Sequence, residues 1–241
     1  MVYKKRLDGR KWDELRPMEA KVGVVPNADG SASFKIGKTW AIAAVYGPRE
    51  LFPKFKQDPK KGVLRCFYSM MPFSGSGERI RPGANRRAQE IAMVMANALG
   101  PVVDLSAFPN AVVDVFVDLP QTDAGTRCAA ISAASMALAQ AGIPMKDMIS
   151  SVAVGKVDDK IATDLDYKEE HIEEFNPDSK TASVSDIPVA MIHNTKEITL
   201  LQMDGEISKE DLMKAIEAAT VAVDKVYEVQ RQALKEKFAK E

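Results

Sequence analysis

The chain has 241 residues, 46% of them hydrophobic and 28% charged, with a net charge of −1. That is enough apolar material for a sizeable core, and the charge balance excludes a generally basic nucleic-acid coat. No stretch reaches the roughly 18 uninterrupted apolar residues of a membrane-spanning helix, and two cysteines with two histidines are too few for an ordinary zinc site. Met1 to Arg6 has no apolar run behind it, so the expectation is a cytoplasmic chain with no signal peptide and no membrane partner. Cys66 and Cys128 both sit in apolar runs and read as buried free thiols of a reducing compartment. The charge is unevenly spread: residues 1–100 carry 19 Lys+Arg and 9 Asp+Glu, the other 141 carry 14 and 25. A half at +10 and a half at −11 suit a polyanion-facing surface beside an acidic site.

In chain order, Met18 to Val25, Ala32 to Ile36 and Thr39 to Tyr46 read as strands, with Asn27-Ala28-Asp29-Gly30 as a turn. Leu51 to Gly62 is a Lys- and Pro-bearing loop, and Leu64 to Met71 is a further strand. Ser74-Gly75-Ser76-Gly77 reads as a flexible loop, and Ala88 to Leu99 has helical apolar spacing. Ala111 to Leu119 is a strand, Cys128 to Ala141 an apolar helix stopped by Gly142 and Pro144. Ile149 to Val157 with Lys160 to Leu165, and Ile187 to His193 with Glu197 to Met203, are two hairpins. Glu169 to Ser185 is polar and reads as a loop. Ser208 to Lys240 is a long amphipathic helix with Ser208 placed as its cap. Strands in series with a few long helices, and no regular βαβ alternation, give an α+β domain with no dividing linker.

Three constellations carry chemistry. Asp123-Ala124-Gly125-Thr126-Arg127 stands between a strand and a helix start, where free N–H groups and the helix dipole favour an anion. Gly125 admits a close approach, Thr126 adds a hydroxyl and Arg127 a five-donor cation. The plainer alternative is that Asp123 caps the helix and Arg127 makes a surface ion pair. Second, Arg79, Arg81, Arg86 and Arg87 crowd a segment beside a flexible loop and ahead of a helix. Arginine forks fit phosphate oxygens in pairs, and at a helix entrance Arg86 and Arg87 point in different directions. Third, Asp164 and Asp166 would share a strand face, and Glu170 could turn back toward Asp164. Paired carboxylates hold a divalent cation, or one is kept protonated by the other's charge. Strand aromatics Phe67 and Tyr68 read as core rather than as base-stacking groups.

These constellations, in this order, resemble the RNase PH family, and within it the catalytic ring subunits of archaeal exosomes. The matching stretches include Arg6-Leu7-Asp8-Gly9-Arg10, Asp13-Glu14-Leu15-Arg16-Pro17, Arg81-Pro82-Gly83, Asp123-Ala124-Gly125-Thr126-Arg127, Val152-Ala153-Val154-Gly155-Lys156 and Leu200-Leu201-Gln202-Met203-Asp204-Gly205. They span nearly the whole chain. The resemblance implies a single RNase PH-like domain over residues 1–241, built of two similar βαβα-type halves with mixed sheets and interior helices. It implies phosphate-dependent 3′→5′ degradation of RNA that releases nucleoside 5′-diphosphates. It also implies an alternating hexameric ring with a related inactive subunit, and a trimeric RNA-binding cap.

The site residues follow from that resemblance. Gly125, Thr126, Arg127 and Arg87 would hold inorganic phosphate, the co-substrate. Arg65, Arg79, Arg81 and Arg86 would contact RNA. Asp164 and Glu170 would form the acid or Mg2+-holding pair. Two departures stand out. Glu170 occupies a position where the family pattern expects aspartate, which changes the carboxylate's reach by about 1.5 Å, and a long stretch follows it. Phe67 stands where related subunits tend to have arginine. Glu170 keeps open the alternative of a catalytically silent, RNA-binding ring subunit. A homohexameric tRNA-trimming enzyme is the weaker alternative, disfavoured by the start and end motifs.

Overall fold

The computed structural model describes residues 5–76, 80–81, 83, 85–172 and 184–239. The first half forms a five-stranded sheet from β1 (Met18–Val22), β2 (Gly30–Ile36), β3 (Thr39–Glu50), β4 (Val63–Met70) and β5 (Ala111–Gln121). Its order is β1-β2-β3-β5-β4. Neighbours run antiparallel except β4 beside β5, which are parallel. That parallel pair requires a crossover, and α1 (Arg86–Leu99) lies within it, packed on β4. Asn85 caps α1 by accepting from the Ala88 N–H at 2.7 Å.

The second half is a sheet of order β7-β6-β8-β9 from β6 (Ile149–Val157), β7 (Lys160–Thr163), β8 (Val184–Ile192) and β9 (Ile198–Leu201). Both expected hairpins form. All three pairings are antiparallel, so among the described residues the parallel pair belongs to the first sheet. The strand expected to reach Leu165 stops at Thr163, because Asp164 turns into the left-handed region at φ 57°. Asp164 and Asp166 therefore do not share a strand face. Asp166 instead caps the short helix α3 (Tyr167–Glu170) in a reciprocal box with Glu169. Residues 173–183, most of the expected polar loop, lie outside the described residues.

The helix α2 (Thr126–Gln140) sits between the sheets, packed on β2 and β3 on one side and β6 on the other. It is buried on all faces from Cys128 to Leu138, which explains its lack of amphipathic spacing. Five alanines (Ala129, Ala130, Ala133, Ala134 and Ala137) let both sheets approach it closely. One hydrophobic cluster joins Phe34, Val115, Ile131 and Met95 to Ile149, Ile192 and Val226, so the core runs through both halves. The long C-terminal helix α4 (Lys209–Phe238) packs on β6 and β1, and Ser208 accepts from the Asp211 N–H as its cap. Among the described residues no helix is long and apolar enough to cross a membrane.

Candidate active site

The turn from β5 into α2 is built for an anion. Gly125 takes φ 69° and no side chain caps the helix, so the first turn keeps outward-facing N–H donors. Asp123 is not that cap. It accepts from the Tyr167 N–H at 3.1 Å and from Arg16 at 3.3 Å. A cavity of about 370 Å³ opens over the turn. Arg87, Thr126 and Arg127 line it, together with Glu170, Asp186 and Asp204. Arg127 is oriented by Gln202, which accepts from its Nη1 and donates to Glu90 at 3.1 Å. The Tyr68 hydroxyl lies buried beside Thr126 without a hydrogen bond of good geometry.

Glu170 does not stay charged at neutral pH. Burial, then the charge of Asp186, pushes Glu170 up to about 8, against the pull of Arg16 and Arg87. Burial also raises Asp186 to about 6, with Arg127 opposing and Asp204 adding to the rise. Near neutral pH Glu170 therefore keeps its proton and offers an O–H donor in the cavity that Arg87 and Arg127 also line.

Comparison with known proteins shows the family of the chain. The model of domain 1 of the 3′ exoribonuclease family matches residues 14–144, and that of domain 2 matches residues 147–222. The chain belongs to this family, the RNase PH family. The exosome complex component Rrp41 of Thermococcus kodakarensis is 48% identical over 98% of this chain and 90% of its own length. That of Methanopyrus kandleri is 46% identical over 97% and 93%. The crystal structure of rice Rrp46 superposes with a TM-score of 0.79 at 24% identity, covering 95% of this chain and all of that one. It shares the RNase PH fold.

Within that fold, the structure brings Gly125, Thr126, Arg127, Arg87 and Glu170 to one cavity. Asp164 is a correction. It does not line the cavity, and its carboxylate is taken up by Arg16, which donates from Nε at 2.9 Å, Nη2 at 2.6 Å and its backbone N–H at 2.8 Å. Both of its oxygens thus accept from Arg16, which ties the group into the fold. The carboxyl group beside Glu170 is Asp186, whose Oδ1 is buried with no hydrogen bond. Among the described residues no cluster of three or more His, Cys, Asp or Glu forms a metal site.

The arginines expected to contact RNA are scattered. Arg65 lies on β4, with Nε 2.7 Å and Nη2 2.9 Å from Asp114. Its charge is therefore partly spent within the sheet. Arg81 and Arg86 are exposed and do not line the cavity; Arg79 lies outside the described residues. Phe67 is not core: it is 43% exposed and stacks on Phe116 at 4.7 Å between ring centres. Sequence reasoning missed Asp186 and Asp204 as cavity groups. A signal existed for the first: Val184, Asp186 and Pro188 alternate along β8, and all three line the cavity.

Proposed function

We propose that this chain is the phosphorolytic ring subunit of an exosome, degrading RNA from its 3′ end in the cytoplasm. The observation that carries this reading is the meeting, in one cavity, of an uncapped helix start, two arginines and a carboxyl group held neutral by burial. Arg127, Thr126 and the N–H groups after Gly125 hold inorganic phosphate, and Arg87 offsets the repulsion between it and the RNA phosphate. A phosphate oxygen attacks the terminal phosphorus and the bond to the preceding ribose O3′ breaks. Glu170 gives its proton to that leaving oxygen, and the proton carried by the attacking phosphate restores it. The products are an RNA one residue shorter and a nucleoside 5′-diphosphate. No protein nucleophile is required, and positioning carries much of the rate. Mg2+, if bound at Asp186, would neutralise charge near the reacting phosphates.

The kinship with Rrp41 proteins supports a ring shared with a related inactive subunit and capped by RNA-binding proteins. The intact cradle speaks against a silent subunit, which has no use for a phosphate site. The test is RNA decay by the chain with its ring partner, with and without inorganic phosphate, products resolved by mass. Nucleoside diphosphates formed only with phosphate are expected. Nucleoside monophosphates formed equally well without it would overturn the reading.

A further inference from the structure

Among the described residues, the segment before β1 contributes no group to the cavity lining, yet its Arg6 and Arg16 are buried and its Arg10 half-buried against the elements that carry that lining. Arg16 is central. Besides its three donations to Asp164, its Nη1 donates to Asp123 at 3.3 Å and its Nη2 to the Ala124 carbonyl at 3.2 Å. One planar guanidinium therefore spans the residues just before Gly125 and the residue that leads into α3. Asp123 closes the link by accepting from the Tyr167 N–H, the first of α3. Thr39 braces the cradle side, donating to the Ala124 carbonyl at 2.7 Å and accepting from the Asp123 N–H at 3.1 Å.

Arg6, only 2% exposed, braces the other side. It grips Glu169 with two parallel bonds of 2.8 and 2.6 Å. It also donates to the Thr163 and Asp164 carbonyls, each at 2.8 Å. Arg10 adds a donation to the Asp164 carbonyl at 3.1 Å. Glu169 is adjacent to Glu170, so the grip fixes the short helix that presents the acid. A four-residue helix makes too few internal bonds to hold its own place.

We infer that Arg16, backed by Arg6, is a positioning residue that sets the spacing between the phosphate cradle and the acid-bearing helix. Only a rigid fork reaches both sides at once; lysine, a point donor on a flexible stem, can serve one side or the other. The inference rests on the phosphorolytic reading for its kinetic consequence, though the mechanical link stands without it. Misplacement of a reacting group by about 1 Å is worth on the order of a hundredfold in rate.

The test uses the full chain in its ring assembly, with Arg16→Lys and Arg16→Ala. Arg16→Lys should lower kcat by about a hundredfold with a smaller change in the KM for RNA. Added guanidinium should restore a large part of the Arg16→Ala activity, which a loss of folding would not allow. Independently of turnover, amide hydrogen exchange in Arg16→Lys should quicken together at residues 124–128 and 164–170 and remain slow in β5. An unaltered kcat in Arg16→Lys, or loosening of one segment without the other, overturns the inference. A wild-type protein with no phosphate-dependent activity sinks the functional reading instead, and leaves the exchange result to decide the link.

Discussion

Burial strips the Glu170 carboxyl group of its charge, and the same burial makes it both useful and costly. With its value raised to about 8, the group is loaded with a proton at neutral pH. Turnover at saturating phosphate should then hold up to about pH 8 and fall roughly tenfold per unit above it. Glu170→Gln keeps shape and hydrogen bonding but has no proton to give. Its turnover should drop at least about a hundredfold with RNA binding unchanged, measured by single-turnover decay and filter binding. The stability sign runs the other way. The folded state holds this proton where the unfolded chain has released it, so wild-type stability erodes as pH rises from the ordinary carboxylate range through about 8. Glu170→Gln escapes that loss, so it should melt higher than the wild type at pH 8.5 while being inactive. A glutamine variant that melts lower at that pH would remove burial as the reason for the acid. Asp164, by contrast, looks like an acid in the sequence and is a structural anchor in the fold. Nothing in local spacing reveals that Arg16, distant in the chain, claims both its oxygens.

At the scale of elements, the central strand β6 has no room to spare against β8. Gly155 pairs with Asp186 across the ladder, and a Cβ there would lie 2.1 Å from the Ser185 carbonyl oxygen and 2.6 Å from Leu165. Gly155→Ala should therefore cost about 1–3 kcal/mol by overpacking, read from denaturant unfolding. It should also displace Asp186 and reduce turnover more than the loss of folded protein explains. Nearly all strands and long helices were legible in the sequence, because alternation, turn residues and caps are local signals. α2 was legible as a helix from its alanines and its Gly142-Pro144 stop, although it lacks an amphipathic face. The acid wall was not. It forms where β8 meets α3 and the segment after β9, and only β8's alternation of Val184, Asp186 and Pro188 hinted at it. The shortening of β7 escaped too, since an aspartate in the left-handed region at Asp164 is fixed by arginines remote in sequence.

Across the whole molecule, the two halves share one core through α2, and the surface keeps several large apolar side chains exposed. Met93, Leu201 and Met203 are among them, alongside Phe67 and Phe116. Exposed apolar groups of this kind suit contact with neighbouring subunits, in line with the proposed ring. Light scattering after size exclusion should show the chain alone in smaller or mixed assemblies and a hexamer once the related subunit is added. A fully active, stable monomer would contradict it. The helix that begins at the proposed phosphate cradle is also buried on all faces from Cys128 to Leu138. An anion landing on its first turn meets a surface already fixed by two sheets, with no apolar area left to cover and no segment of that helix left to order. Titration calorimetry of inorganic phosphate should accordingly give a heat-capacity change near zero and an affinity that weakens with salt, the thermodynamics of a charge seated in a finished socket.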